Sequence, residues 1–121
     1  YDISGKNITV YGTTFKKAFQ NFWKHQAFEI IKLAENITKN TTYKPIFKVK
    51  LLLAVWGNCN PKLNTISLNQ KLLFFRKEVI EYVIYHELAH YTYQNHQKDF
   101  WDLVGKYCPD YKTLKKELKN W

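Results

Sequence analysis

The stretch HELAHYTYQNH, residues 86–96, holds three of the four histidines in this 121-residue chain. On a helix, residues four positions apart share one face with Cβ atoms about 5–6 Å apart, so His86 and His90 can direct two imidazoles at one metal ion. Glu87 lies about a quarter of a turn away, where it can reach a metal-bound water but cannot serve as the third ligand. The spacing therefore predicts a zinc site with Glu87 as its general base.

The residues that precede the motif indicate a buried helix. Val79 and Val83 share the helical face that carries the two histidines and the glutamate, and further apolar residues cover the neighbouring sector. Burying two imidazoles and a carboxylate is costly unless they find partners, and a divalent cation with its bound water satisfies all three. The alternative is a chance motif with packed or surface histidines. The apolar surroundings favour the metal site.

His96 is the predicted third ligand, because it is the nearest remaining histidine. Its alternative is a surface position at the start of the next helix. Glu117, the only glutamate downstream of Glu87, is a weaker rival because it lies in a lysine-rich segment. Asp99 and Asp102 are expected to hydrogen-bond to the ligands.

The ligand spacing equals that of the metzincin pattern HExxHxxGxxH. Tyr93 stands where that pattern has a helix-breaking glycine, and the chain has no methionine for the turn after which the metzincins are named. We therefore expect the spacing to be shared without membership of that clan.

The composition predicts one domain over residues 1–121, because 45% of the residues are hydrophobic and 17% are aromatic, enough for a sizeable core. The longest uninterrupted apolar run, Leu51–Trp56, is far shorter than the roughly 20 residues that span a bilayer, so we expect no membrane partner. Cys59 and Cys108 form no CxxC pair and do not indicate a disulfide framework. We expect a reduced, cytoplasmic protein. Because the chain begins at Tyr1 without an initiator methionine, we also expect that it lacks an N-terminal segment.

The formal net charge is +9, and four lysines cluster near the C-terminus at Lys112, Lys115, Lys116 and Lys119. A basic surface attracts polyanions, which makes nucleic acid a candidate partner. Solvated lysine on a helix face is the favoured alternative. The lysines are dispersed along the chain, and arginine, which pairs best with phosphate, occurs only as Arg76.

Hydrophobic periodicity predicts an α+β fold in which a small mixed or antiparallel sheet packs with a long N-terminal helix and the motif helix. The first helix carries an aromatic stripe that we expect in the core, including Phe15, Phe19 and Phe22. In chain order the expected elements are a short strand at 8–11, a helix capped by Thr13 or Thr14 and ending near Thr38, an interior strand at 47–56, a strand at 64–69, the motif helix, a helix at 97–107 and a short last helix.

Residues 64–69 alternate between polar and apolar side chains, which predicts a half-buried strand at an edge of the sheet. An extended peptide can add to such an edge by main-chain hydrogen bonds, with its scissile carbonyl near the metal. The substrate-binding residues predicted on this basis are Thr65, Ile66, Ser67, Leu68 and Asn69.

The run from Val55 to Tyr111 resembles the YgjP-like metallopeptidases, because six recurring elements of that family occur here in order. They read WGNC at 56–59, SLN at 67–69, HELAH at 86–90, NH at 95–96, FW at 100–101 and PDY at 109–111. The departures are Asn58, where the family has serine, and Val55, where arginine commonly precedes the tryptophan.

The resemblance implies a zincin-like minimal domain with one Zn²⁺ per chain. By resemblance His86, His90 and His96 would bind the zinc, and Glu87 would be the catalytic acid and base. The family is similar to the SprT-like and WLM proteases associated with DNA, and some of its members are described as nucleotide pyrophosphatases.

The leading hypothesis is a zinc-dependent peptidase that cleaves peptide or protein substrates with a zinc-bound water activated by Glu87. One alternative is a zinc-dependent nucleotide (UTP) pyrophosphatase, although the chain has no glycine-rich phosphate cradle and a single arginine. Others are a DNA-associated SprT-like protease and a nucleic-acid-binding module whose zinc is structural, with Cys59 or Cys108 as its fourth ligand.

Overall fold

The computed structural model describes the backbone of residues 5–119 and the side chains of residues 16–39 and 41–119. Within this part, the sheet has three strands: β1 (Ile46–Lys50), β2 (Gly57–Asn60) and β3 (Thr65–Asn69). Their spatial order is β1-β3-β2, with β3 parallel to β1 and antiparallel to β2. The prediction of an α+β fold with a small mixed sheet is therefore confirmed.

The central position of β3 shows that the edge predicted for residues 64–69 is wrong. Strands on both sides take up its main-chain hydrogen-bonding groups, so a peptide has no free edge to join there. The polar–apolar alternation correctly predicted a strand, because it shows that one face is buried. It does not show whether one strand or two strands pair with it. The proposal that substrate binds along Thr65, Ile66, Ser67, Leu68 and Asn69 loses its basis.

The strand predicted over residues 47–56 is also wrong in length and position. It ends at Lys50, which is paired with Asn69 at the end of β3, so the chain beyond it has no partner in that strand. β1 is an edge strand, and Leu53 is 92% exposed instead of lying inside the sheet. An apolar run alone could not distinguish an interior strand from an exposed connection.

Four helices occur within the described residues: α1 (Gly5–Ile37), α2 (Lys77–Ala89), α3 (Lys98–Tyr107) and α4 (Tyr111–Lys119). The motif helix α2 is largely buried, as predicted. None of these helices is long and apolar enough to cross a membrane. The core lies where the sheet, α2 and the C-terminal half of α1 meet, and α3 and α4 close it with Phe100, Val104, Leu114 and Leu118.

Helix α1 differs from its prediction at the N-terminal end. Residues 8–11 are helical, so the predicted strand is wrong, and Thr13 and Thr14 lie inside the helix instead of capping it. Intrinsic strand preference is weak and yields to context. The core contacts come from Ile30 and Ala34, while Phe19 and Phe22 are about half exposed. The side chain of Phe15 lies outside the described residues.

Asn69 holds the connection that leads from β1 to β2. Its side-chain amide donates to the carbonyls of Leu52 (2.8 Å) and Val55 (3.0 Å), and its Oδ1 accepts from the N–H of Lys71 (3.1 Å). The residue is 4% exposed, so all three bonds are shielded from water. Asn69 therefore has a structural role, and it sets the path by which the chain reaches Gly57.

We expect Asn69→Asp to destabilise the fold, because it removes both N–H donors and places an oxygen against two carbonyls. Unpaired buried acceptors cost about 1–3 kcal/mol each, so the free energy of unfolding should fall by about 2–4 kcal/mol in urea denaturation. Asn58→Asp makes the same chemical change at an exposed residue of β2 and should alter the free energy of unfolding by less than about 0.5 kcal/mol. Equal losses in the two variants would contradict this role.

Candidate metal centre

The end of α2 brings the three motif histidines to one point. His86 lies in its last turn, His90 caps its C-terminus, and the chain then turns back so that His96 precedes α3. The Nε2 atom of His96 lies 3.2 Å from Nε2 of His86 and 3.1 Å from Nε2 of His90. The three residues predicted to share a metal are thus assembled into one cluster.

This geometry fits a zinc ion. With Zn–N bonds of about 2.0–2.1 Å, the ligand atoms of a tetrahedral site lie about 3.3–3.4 Å apart, close to the observed separations. Three ring nitrogens facing one point cannot all donate hydrogens to each other. A single cation accepts all three lone pairs at once.

The outer ring nitrogens of two of these histidines have partners that orient them. His90 Nδ1 donates to the main-chain carbonyl of Tyr93 at 3.1 Å, and His86 Nδ1 lies 3.4 Å from the hydroxyl of Tyr82. Because a carbonyl can only accept, His90 carries its hydrogen on Nδ1 and leaves Nε2 free to bind a metal. These partners are not the predicted aspartates: Asp99 is exposed, and Asp102 lies 3.8 Å from Lys98 Nζ.

The turn between His90 and His96 uses no left-handed residue. Tyr93, which stands where metzincins have glycine, donates its N–H to the carbonyl of Ala89 at 2.9 Å and directs its own carbonyl to His90. Among the described non-glycine residues, the single positive φ is that of Asn64. A different backbone route thus produces the same ligand spacing.

Phe100 forms the apolar base of the cluster. It is fully buried, and its ring centroid lies 5.0, 4.7 and 4.8 Å from those of His86, His90 and His96. Trp101 packs beside it, 5.7 Å from His86. Residue spacing did not reveal this support; only the family motif at residues 100–101 pointed to these positions.

Glu87 lies beside the cluster beneath strand β2. Glu87 is 6% exposed, and its Oε2 lies 3.9 Å from Nε2 of His86. Gly57 covers it so closely that a Cβ there would stand 2.9 Å from both Cγ and Oε2 of Glu87. Only glycine permits this approach, a role that the sequence did not disclose beyond the WGNC motif.

Burial dominates the electrostatics of the cluster. It raises the pKa of Glu87 to about 7. Burial, followed by the charges of the other two histidines and of Lys115, lowers the pKa of His86 to about 3, and burial also lowers the pKa of His90. Both histidines are therefore neutral near pH 7, which is the form that binds a metal ion.

No fourth protein ligand joins the three histidines among the described residues. Glu117, the rival ligand, is paired elsewhere with Arg76, whose Nη2 lies 2.8 Å from its Oε1. Cys59 lies in the same cleft, and burial, followed by the charge of Glu87, raises the pKa of its thiol to about 11. The arrangement of three protein ligands and an open position is typical of catalytic zinc sites.

The cluster opens into a cleft of about 670 Å³. Strand β2 and the residues before it form one wall, and helix α4 contributes to the rim. Besides Glu87 and the three histidines, its lining includes Gly57, Cys59, Lys115 and Lys119.

Solved structures of two archaeal metallopeptidases share this fold. The abylysin zymogen of Pyrococcus abyssi has a TM-score of 0.63 at 22% identity, covering 78% of this chain and 92% of its own. The jannalysin zymogen of Methanocaldococcus jannaschii has a TM-score of 0.55 at 24% identity, covering 82% and 97%. At these identities the likeness is one of fold.

No curated protein matches the sequence. Residues 10–121 match the family described as YgjP-like, metallopeptidase domain. This match spans nearly the whole chain, including α2 with its histidines and the C-terminal helices. The chain therefore belongs to the YgjP-like metallopeptidase family.

Proposed function

We propose that this chain is a zinc-dependent peptidase with one Zn²⁺ held by His86, His90 and His96. The observation that carries the proposal is the approach of His96 Nε2 to within 3.1–3.2 Å of the Nε2 atoms of His90 and His86, in an open cleft and next to a buried carboxylate. Family membership supports the same reaction class.

Zinc at this position would lower the pKa of a coordinated water to about 7 and polarise a peptide carbonyl. Glu87 accepts the proton of the attacking water and then delivers it to the leaving amine. Its burial beneath Gly57 supports this role, because the close contact fixes the carboxylate beside the histidine cluster, where it can reach the proton of the attacking water.

Strand β2 is the sheet edge best placed to hold a peptide. It is terminal in the sheet formed by the described residues, and it lines the cleft. The N–H of Asn69 donates to the carbonyl of Trp56, and hydrogen-bonded residues alternate along an antiparallel pair of strands. The main-chain N–H and C=O of Asn58, two residues after Trp56, therefore face β3. Those of Gly57 and Cys59 consequently face outward, where an extended substrate can pair with them.

We expect Glu87→Gln to retain one zinc per chain and to lower kcat/KM for peptide hydrolysis by at least about 100-fold, because the general base is lost. Zinc is measured by elemental analysis and turnover with a quenched fluorescent peptide library. Glu81→Gln, the same change elsewhere on α2, is the matched control and should leave turnover within about twofold. Unchanged turnover in Glu87→Gln would refute the assigned role.

Removing the metal is expected to abolish hydrolysis, and stoichiometric Zn²⁺ should restore it. His96→Ala should lower zinc affinity by more than about 100-fold, because it removes one of the three proposed ligands and not a residue that only hydrogen-bonds to a ligand. Replacing His25, which is outside the cluster, by alanine should leave affinity unchanged. Full zinc binding by His96→Ala would exclude it as a ligand.

Gly57→Ala is expected to reduce kcat by about tenfold or more with zinc binding preserved. The new methyl group must displace the Glu87 side chain or β2, and small displacements of a catalytic group are costly. Gly105→Ala is the control, because its Cβ would meet only the ring of Tyr111, at 3.3 Å. Wild-type kcat in Gly57→Ala would show that the contact with Glu87 does not position it.

The same preparations should be offered UTP. A release of pyrophosphate that is lost in His86→Ala, combined with the absence of any peptide cleavage, would replace the peptidase proposal with the nucleotide alternative.

A further inference from the structure

The rim of the cleft carries two lysines from one face of α4. Lys115 and Lys119 both line the cleft that contains the histidines. Residues four apart on a helix are neighbours, so the two ammonium groups face the same volume. The remaining lysines of this cluster, Lys112 and Lys116, are exposed and do not line the cleft.

An aromatic stack fixes the position of Lys115. Its Nζ lies 4.4 Å from the ring centroid of Trp101, in a cation–π contact, and Tyr111 stacks on the same indole at 5.2 Å. The Trp101 ring also lies 6.0 Å from that of His96. The indole of Trp101 thus lies between the Lys115 ammonium and the histidine cluster. We expect this ammonium to be within reach of a substrate side chain that lies a few residues from the scissile bond.

No acid among the described residues that line the cleft pairs with these lysines. Within that part of the chain the acid in the lining is Glu87, which is buried beneath Gly57. Glu117, the acid on α4, is paired instead with Arg76, which precedes α2. The cleft therefore presents a positive rim beside an apolar wall, and an anionic side chain is its complement.

We propose that Lys115 and Lys119 form an acid-selecting subsite, so that preferred substrates carry aspartate or glutamate near the scissile bond. This inference rests on the proposed peptidase function. It names the substrate class of that site, and it gives the basic C-terminal helix a role distinct from nucleic-acid binding.

The test compares peptides that differ at one position, with glutamate or glutamine at each of about three sites on either side of the cleaved bond. For the zinc-loaded wild-type protein, kcat/KM should be about two- to tenfold higher for the best glutamate peptide, as expected for two exposed ion pairs. The preference should fall as salt increases. In the double variant Lys115→Gln/Lys119→Gln the ratio of kcat/KM for the glutamate peptide to that for the glutamine peptide should fall to about one.

Two further variants control for folding and total charge. Lys112→Gln/Lys116→Gln removes the same charge from the same helix and should keep the preference. Lys115→Arg/Lys119→Arg retains the charge at the rim and should also keep it. Zinc content and circular dichroism verify that each variant is folded.

Several outcomes would overturn the subsite. One is equal rates for the glutamate and glutamine peptides in the wild type. A second is a preference for glutamate that survives in Lys115→Gln/Lys119→Gln. A third is equal slowing of both peptides in that variant, which would indicate that the lysines act on the reacting carbonyl. Loss of single-stranded DNA binding in that variant alone, with peptide preference unchanged, would assign the lysines to nucleic acid. Cleavage of no peptide at all would instead refute the peptidase proposal, and the subsite with it.

Discussion

The convergence of three imidazoles on one point is the constraint on which the rest of the structure depends. His96 Nε2 lies 3.1–3.2 Å from the Nε2 atoms of His90 and His86, and the three rings pack on the buried ring of Phe100. Ring nitrogens that face one point cannot all be satisfied by hydrogen bonds to each other, whereas one cation accepts all three lone pairs. The main-chain carbonyl of Tyr93 and the hydroxyl of Tyr82 keep the outer nitrogens occupied, so the inner ones stay available.

The second constraint is the contact between a strand and a carboxylate. β2 passes over Glu87 so closely that it needs glycine at residue 57, and Asn69 holds the connection that delivers the chain to this point. One element thereby buries the carboxylate, raises its pKa and presents a free edge to the cleft. The side-chain amide of Asn69 in β3 is thus linked, through the path of the chain, to the chemistry proposed at α2.

The C-terminal helices have a corresponding role on the other side of the cleft. Phe100 and Trp101 of α3 support the histidines, and α4 stacks Tyr111 and Lys115 on the same indole. Aromatic packing therefore connects the metal cluster to the charged rim. The net charge of +9, which suggests a polyanion when read from composition alone, is in part directed at the cleft.

The sequence by itself determined the α+β class, the buried motif helix and the pairing of His86 with His90, because helical periodicity fixes which side chains share a face. The position of His96 followed from its spacing in the motif. The sequence did not determine that β3 is central, that the chain after Lys50 is exposed, or that residues 8–11 are helical. Nor did it disclose the contacts of Gly57 and Phe100. These features depend on partners distant along the chain, and a local pattern records the burial of a face without recording which element covers it.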